Sequence, residues 1–404
     1  MVGSLSSGPL MVLLGQRITI ILSLPVAFIS WMAMGLAPTI PLVIAARFAI
    51  GTMNGIMADC CISYIVEYAH TDVRGRLGAA IDISRQFGYL LVYTVGSSGL
   101  IWRHTAFICG CIATIIPFVG LLALPSSPRW LATRGRMEES KKALKFFRGP
   151  KYDIDHELTE IKDQLAQVKG SGSIMGQIKQ LFNKSVGMRV LLVALIMLAI
   201  PFNGNLIVVG YSVVIFQSAN TGLDEYMCTI VMGLVRVVGA LSFILIGEKM
   251  KRRTLFFTCF ILSAISLTVL GFYFYFYHLG YDVSVVSWLP LASLIVFMFT
   301  TALVGPVLSM FRSELLPNSV RAIGVGISVV TLCAGGFIVT QTFPAVIRLL
   351  GDHGAYWFYA ACGIMVVIIA AVTVPETKGK TLEEINEKVI RDSLKKKEKD
   401  NNNS

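Results

Sequence analysis

Ten apolar segments, each long enough to cross a lipid bilayer, lie at about 18–37, 42–66, 77–100, 104–125, 190–217, 226–247, 254–278, 285–311, 322–350 and 355–374. About 20 apolar residues suffice for one crossing as a helix. Within the hydrocarbon there is no water to satisfy backbone N–H and C=O groups, so each segment must pair its own, which a helix does. The expected fold class is therefore all-α, a polytopic membrane protein. Composition agrees: 55% of the 404 residues are hydrophobic and 15% charged, and the mean hydropathy is +0.70, unlike a water-soluble globule.

One long polar stretch, 126–189, divides the chain. Before it, residues 1–14 form a further apolar stub, too short to span and closed by Gln16-Arg17. With the stub counted there are about eleven segments, five before the polar stretch and six after it. A pair of six-helix bundles then requires one more helix ahead of residue 1. The expected organisation is an N-terminal bundle over 1–125, a cytoplasmic loop with short helices over 126–189, a C-terminal bundle over 190–374 and a cytoplasmic tail over 375–404.

Charge sets the orientation. The net charge of +11 gathers in alternate connections: Gln16-Arg17, Arg74-Gly75-Arg76, the central stretch with Arg134, Arg136, Lys141, Lys142, Lys145, Arg148 and Lys151, then Glu248 to Arg253, Arg312 to Arg321, and Lys395-Lys396-Lys397. The intervening connections are neutral or acidic, as in Ala37 to Pro41 and Thr221 to Glu225. This is the positive-inside pattern, so these basic connections and the C-terminus face the cytoplasm, and the charge needs no nucleic-acid partner. Within the central stretch, Arg136 to Phe147 fits a short basic helix. Ile154, Leu158, Ile161, Leu165 and Val168 recur at helical spacing, a stripe for neighbouring helices or headgroups.

Enzyme chemistry has little to stand on. Eight cysteines are scattered without a CxxC pair and fit small core positions. Gly96-Ser97-Ser98-Gly99 lacks the strand–turn–helix setting of a serine hydrolase, and no phosphate-binding loop or metal-ligand cluster appears. Neither a cofactor nor a metal is expected.

Two patterns recur across the divide. Glu67 is followed seven residues later by Arg74-Gly75, and Glu314 seven residues later by Arg321-Ala322. Gly8 to Arg17 is matched by Gly247 to Arg253, where the later copy keeps Glu248, Arg252 and Arg253. A carboxylate and a guanidinium so placed on a hairpin can bond in one conformation and part in another. Parallel repeats are also how many transporters build a site between two halves.

At this point the chain resembles the sugar porter family of the major facilitator superfamily, and within it the insect facilitated trehalose transporters. The most specific stretch is Pro375-Glu376-Thr377-Lys378-Gly379-Lys380-Thr381-Leu382-Glu383-Glu384-Ile385. Ala46-Arg47-Phe48, Tyr64 to Glu67, Gly88 to Gly96, Gly305-Pro306 and Thr342-Phe343-Pro344 are similar to the family as well. The resemblance implies a carrier working by alternating access, with a solute site near the membrane middle. It implies a gating network of Glu67, Arg74, Arg129, Glu248, Arg252, Arg253, Glu314, Arg321 and Glu376, and a gate hinge at Gly305-Pro306.

The departures fall on the sugar site. Asp82 stands where the family has a glutamine, and Ile200-Pro201-Phe202-Asn203-Gly204-Asn205-Leu206 replaces its QQLSGIN. Ser309 takes the place of a tryptophan, Leu332-Cys333 that of an asparagine–tryptophan pair, Val12 that of a loop acid and Ser126 that of a glutamate. The candidate solute contacts are Asp82, Asn203, Asn205, Tyr211 and Ser309, and a latch weaker at Ser126 is expected. Asp59, Asp82, Arg85 and Arg236 lie at membrane depth, where each needs a partner or a wet cavity. Asp82 and Arg85, three apart on one helix face, can pair.

The expected function is transport of a sugar, polyol or similar small polar solute, facilitative or coupled to a proton, in a plasma membrane. The lipid bilayer is the other expected partner. The rival reading is a transporter-like sensor or scaffold, or an inactive truncated product.

Overall fold

In the computed structural model the described residues are 2–68, 71–149, 154, 157–159, 161, 183–219, 222–247, 250–314, 316 and 320–373. Of these, 66, 71–76, 79, 184, 185, 310, 312–314, 321, 322, 372 and 373 are described by backbone alone. Among the described residues there are helices and no strands. Contacts divide the chain into two compact units, with the boundary inside the central polar stretch.

The first unit holds α1 (Val2–Leu14), α2 (Gln16–Leu36), α3 (Ile40–Tyr68), α4 (Thr71–Gly96) and α5 (Trp102–Leu122), then the short α6 (Pro128–Thr133) and α7 (Met137–Arg148). The second holds α8 (Lys184–Ala199), a 3-10 turn Ile200–Asn203, α9 (Asn205–Ala219), α10 (Glu225–Ile246), α11 (Arg252–His278), a 3-10 turn Ser284–Val286, α12 (Leu289–Glu314) and α13 (Arg321–Thr373). Among the described residues, eight helical stretches are long and apolar enough to cross a membrane. Helix α4 is equally long but more polar, carrying Asp82 and Arg85.

Helix α13 contains two crossings. Its 53 residues would measure about 80 Å as a straight helix, against a hydrocarbon core of roughly 30 Å. Gly351, with φ of 71°, breaks it where the sequence pattern ends one segment and begins the next. The second unit thus comprises six crossings, the first of them interrupted by Ile200–Asn203.

Without a hydrophobic drive between helices in lipid, close packing must hold them, and small residues permit it. Helices α2 and α5 use this reciprocally. A Cβ on Gly35 would lie 2.7 Å from the Phe107 ring, and one on Gly110 would lie 2.6 Å from Trp31 Cβ. Helices α1 and α3 approach as closely at Gly3, where a Cβ would sit 2.0 Å from the Thr52 carbonyl oxygen. In the second unit, bulky side chains fill the interior instead: Phe216, Leu270, Phe274, Phe297 and Tyr359 are all buried. Many large apolar side chains, such as Ile29, Phe48, Ile116 and Leu245, are exposed, as lipid-facing residues are.

The amphipathic stripe of the central stretch packs on protein. Leu158 and Ile161 are buried with Ala132 of α6 and Leu144 of α7, and Ile154 packs against them. Leu165 and Val168 lie outside the described residues, as does the Pro375 to Ile385 stretch. Of the cysteines, Cys60, Cys109, Cys228 and Cys259 are buried as core residues. Cys61 and Cys333 are exposed on their helices, which corrects the core reading for those two.

Gly110→Ala places a methyl against Trp31 that cannot fit without backbone movement, so it should lower the melting temperature, at a cost of roughly 1–3 kcal/mol. Gly120→Ala, on the same helix with no neighbour within 4 Å of the added carbon, should leave it unchanged or raise it. Thermal unfolding of the two variants in detergent, side by side, checks the opposite signs.

Candidate functional site

Two places concentrate polar chemistry, one in each unit. In the first unit, the end of α3 projects past the apolar span, which closes at Ile65, and presents Glu67. Gln16, at the start of α2, donates from Nε2 to Glu67 Oε1 at 2.6 Å, and Ser127 Oγ donates to Oε2. Ser127 is 1% exposed, and it also caps α6 by accepting from the Trp130 N–H at 3.4 Å, ahead of Pro128 in the first turn. Ser140 of α7 donates to the Pro128 carbonyl at 2.9 Å, which fixes the α6–α7 pair.

Burial pushes the Glu67 carboxyl above its ordinary range. The Ser127 hydrogen bond, the Arg129 charge, and the Gln16 and Ser63 hydrogen bonds pull the other way without cancelling it. The sequence reading singled out Ser126, but its neighbour Ser127 makes the contact. Gln16 was read there only as the end of a stub. The signal for Ser127 was local: a serine before proline at a helix start.

Arginines surround this cluster and bind backbone. Arg134 donates to the carbonyls of Val12 at 3.0 Å and Leu13 at 2.7 Å, at the end of α1, with its guanidinium 5.6 Å from the Trp130 ring. That ring covers Gly15, whose φ of 82° and lack of a side chain let it approach; a Cβ there would be 2.8 Å from the indole. Arg17 donates to Leu121 and Leu122, both at 3.1 Å, at the end of α5. Arg148 donates to the Tyr68 carbonyl at 2.7 Å and pairs with Glu157 at 2.6 Å.

The repeated pairs occupy equivalent places in the two units. Glu67 is next to last in α3 and Arg74 stands in the first turn of α4; Glu314 ends α12 and Arg321 begins α13. Arg252 and Arg253 open α11, and Arg253 donates to the Ala371 carbonyl at 2.6 Å near the end of α13. Glu248 and Glu376 lie outside the described residues.

The second place is the interrupted span of the second unit. Pro201 sits in the 3-10 turn, and Gly204 takes a left-handed conformation, φ 83° and ψ 1°, to restart the helix at Asn205. Irregular backbone at membrane depth persists only where protein buries it or it lines a cavity. Asn203, 5% exposed, accepts from the Asn205 N–H at 2.9 Å through Oδ1. Asn205 Oδ1 in turn accepts from Arg236 of α10 at 3.0 Å, and the same guanidinium nitrogen lies 3.2 Å from the Met298 sulfur.

Arg236 is 3% exposed, and the partner that its membrane depth requires is a candidate solute contact, Asn205. Tyr211 marks a kink in α9, with φ of −116°, and its ring meets Phe343 at 4.8 Å. Ser309 is half-buried on α12, which runs unbroken through Gly305-Pro306. In the first unit, buried Asp82 pairs with Arg85 at 2.5 Å, as their spacing anticipates. Asp59 accepts from Ser7 at 3.0 Å.

The described residues thus hold a pair of amides at the interruption of one membrane helix and a hydrogen-bonded carboxylate at the end of another. The model of the family described as "Sugar (and other) transporter" matches residues 1–389. The chain belongs to this family. As a family member it is a sugar-porter-type membrane carrier and not an enzyme. The facilitated trehalose transporter Tret1 of Culex quinquefasciatus is 32% identical over 394 residues, covering 96% of this carrier and 75% of that protein. Tret1 of Anopheles gambiae is 33% identical over 393 residues, where this carrier spans 49% of the relative's length.

Among solved structures, the major facilitator superfamily proton:xylose symporter XylE bound to 6-bromo-6-deoxy-D-glucose matches with a TM-score of 0.73 at 24% identity. That match covers 95% of the carrier and 85% of the symporter. Inward-open XylE from E. coli matches with a TM-score of 0.75 at 23% identity, covering 95% and 85%. The carrier therefore has the fold of that superfamily.

Because the native Glu67 carboxyl keeps its proton to higher pH than an unfolded glutamate (about 4.3), its contribution to stability is fully present below that value. The contribution is lost as pH rises through the native value. Ser127→Ala removes the largest opposing influence and should move this loss to still higher pH, whereas Glu67→Gln should flatten it. Melting temperature against pH for the three proteins, in detergent, checks both directions.

Proposed function

We propose that this carrier moves a neutral, polyhydroxylated solute, a sugar or polyol, down its gradient by alternating access. The amide pair at the broken α8–α9 span, Asn203 buried and Asn205 half-buried, carries the reading. Amides offer both donors and acceptors, which is what a hydroxyl-rich solute needs, and a discontinuous helix is where carriers place such contacts. Asn203, Asn205, Tyr211 and Ser309 of the second unit and Asp82 of the first are the proposed solute contacts. The trehalose and xylose named for the relatives define the class to test first. Facilitated transport is favoured by the names of the relatives above 30% identity. A coupled proton is a second reading, motivated by the buried Asp82 carboxylate beside Arg85.

The gating network is proposed to lie on the cytoplasmic side, in a plasma membrane, with the C-terminus on the same side. The basic connections support this orientation. Within the network, Glu67 and Arg74 with Ser127, Gln16 and Arg129 form the latch of the first half, and Arg252, Arg253, Glu314, Arg321, Glu248 and Glu376 that of the second. Gly305-Pro306 is the proposed hinge, since proline leaves the preceding turn one hydrogen bond short. Organisation into two bundles, 1–125 and 190–374, joined by a cytoplasmic loop over 126–189 and followed by a tail over 375–404, belongs to the same reading.

Uptake of radiolabelled trehalose, xylose, glucose and a polyol into vesicles holding the carrier tests this. Saturable uptake that collapses with its gradient and ignores a protonophore is expected. Uptake abolished by the protonophore would establish the coupled reading, and absence of flux for every solute, beside an active relative, would sink the carrier's proposed solute class. Asn205→Ala should weaken apparent solute affinity roughly 3- to 10-fold, the scale of one hydrogen bond. Ser126→Glu, adding a carboxylate beside the latch, should shift the balance between inward- and outward-facing states, seen as a changed ratio of influx to efflux rates.

A further inference from the structure

The second unit contains an apolar cleft whose lining includes none of the proposed solute contacts. It measures about 530 Å³ and is walled by α10, α11 and α12, with Val238, Met250, Cys259, Leu262, Val296 and Thr300 among its lining. The Thr300 hydroxyl is turned onto its own helix, donating to the Val296 and Phe297 carbonyls at 2.9 Å, so it offers the cleft little polarity. Val238 is 55% exposed, Val296 44% and Leu262 40%, so the cleft opens sideways where bilayer lipid lies. A sugar finds no hydrogen-bonding partners there, whereas an acyl chain matches both the surface and the volume.

One end of the cleft is chemically distinct. Met250 and Leu255 line it, and between them in sequence stand Lys251, Arg252 and Arg253. Lys251 is exposed, and Arg253 is held over the Phe257 ring at 5.3 Å with one nitrogen on the Ala371 carbonyl. The connection from Glu248 to Arg253 carries four basic residues against one acidic residue. Basic pockets between membrane helices on the cytoplasmic side suit anionic headgroups, and two signals, apolar and electrostatic, hold a lipid better than either alone.

We propose that this cleft is a binding site for an anionic phospholipid, with an acyl chain between α10 and α11 and the headgroup phosphate against Lys251. It rests on the orientation proposed above, which puts the α10–α11 connection at the inner leaflet. A lipid wedged here bears on α11, whose first turn holds the end of α13 through Arg253. Occupancy is thereby coupled to the second half of the gating network.

The full chain is reconstituted into vesicles of equal parts phosphatidylcholine and phosphatidylserine, with a trace of either lipid carrying a photoreactive group on its acyl chain. After irradiation, labelled peptides are mapped by mass spectrometry. The serine-headgroup probe should label the lining segments of α10, α11 and α12 several-fold more than the choline probe. Lys251→Glu should erase that preference while labelling persists, and Val238→Phe, which fills the cleft from its exposed side, should deplete labelling at Leu262 and Thr300. Equal labelling by both probes, or labelling unchanged in Val238→Phe, would overturn the site. Labelling is read without solute flux, so failure of the transport reading and failure of this one are separate results.

Discussion

The structure depends on what becomes of the last carbonyls of each helix. An α-helix ends with four C=O groups that have no intrahelical partner and with the negative pole of its dipole. At a membrane boundary those groups need donors from the protein or from water. Here arginines from elsewhere in the same unit bind them: Arg134 at the end of α1, Arg103 at Ala37 after α2, Arg148 at Tyr68 of α3, Arg17 at the end of α5 and Arg253 near the end of α13. Tyr273 does the same for Ala219 at the end of α9. A charged donor suits this role because its hydrogen bonds, at about 1.5–3 kcal/mol, exceed neutral ones. Each such bond also joins two elements distant in sequence, so capping and assembly are one interaction.

This changes the meaning of the basic residues. From sequence they fit positive-inside anchors, which explains their side of the membrane but not their positions. Arg103 is informative because, from the first turn of α5, it caps α2 at Ala37, the start of an uncharged connection that reads as external. Arg134 bonds to the backbone carbonyl of Val12, so that guanidinium is held there without a carboxylate. Ser126 follows a similar logic, since buried Ser127 supplies the hydrogen bond that ties the central stretch to Glu67.

The fold was legible because its constraints are local. Apolar length and period mark a membrane helix without knowledge of its neighbours, and the positions of Glu67–Arg74 and Glu314–Arg321 at helix junctions followed from where apolar runs stop. A helix break was legible too at Gly351, where the expected spans 322–350 and 355–374 part. The polar contacts were less so. Asp82–Arg85 could be foreseen because its partners share one helix turn. Arg236–Asn205, Gln16–Glu67 and Ser127–Glu67 join residues 31, 51 and 60 apart, and no periodicity within one segment encodes which helix will lie alongside.

The broken span shows how the two kinds of information meet. Pro201 and Gly204 announce an interruption in a 34-residue apolar stretch, and membrane physics requires that interruption to be buried or to line a cavity. What sequence does not specify is how the freed backbone is satisfied. Asn203 bonds the Asn205 N–H, and Asn205 spends its carbonyl oxygen on Arg236, so one oxygen of each amide is committed to the scaffold. Each amide keeps its NH₂ group and the second lone pair of its oxygen, so on the proposed solute reading the interruption still offers both donors and acceptors. On that reading the hydroxyl groups of a sugar, which both donate and accept, find partners here through side chains other than the glutamines that the family resemblance implies.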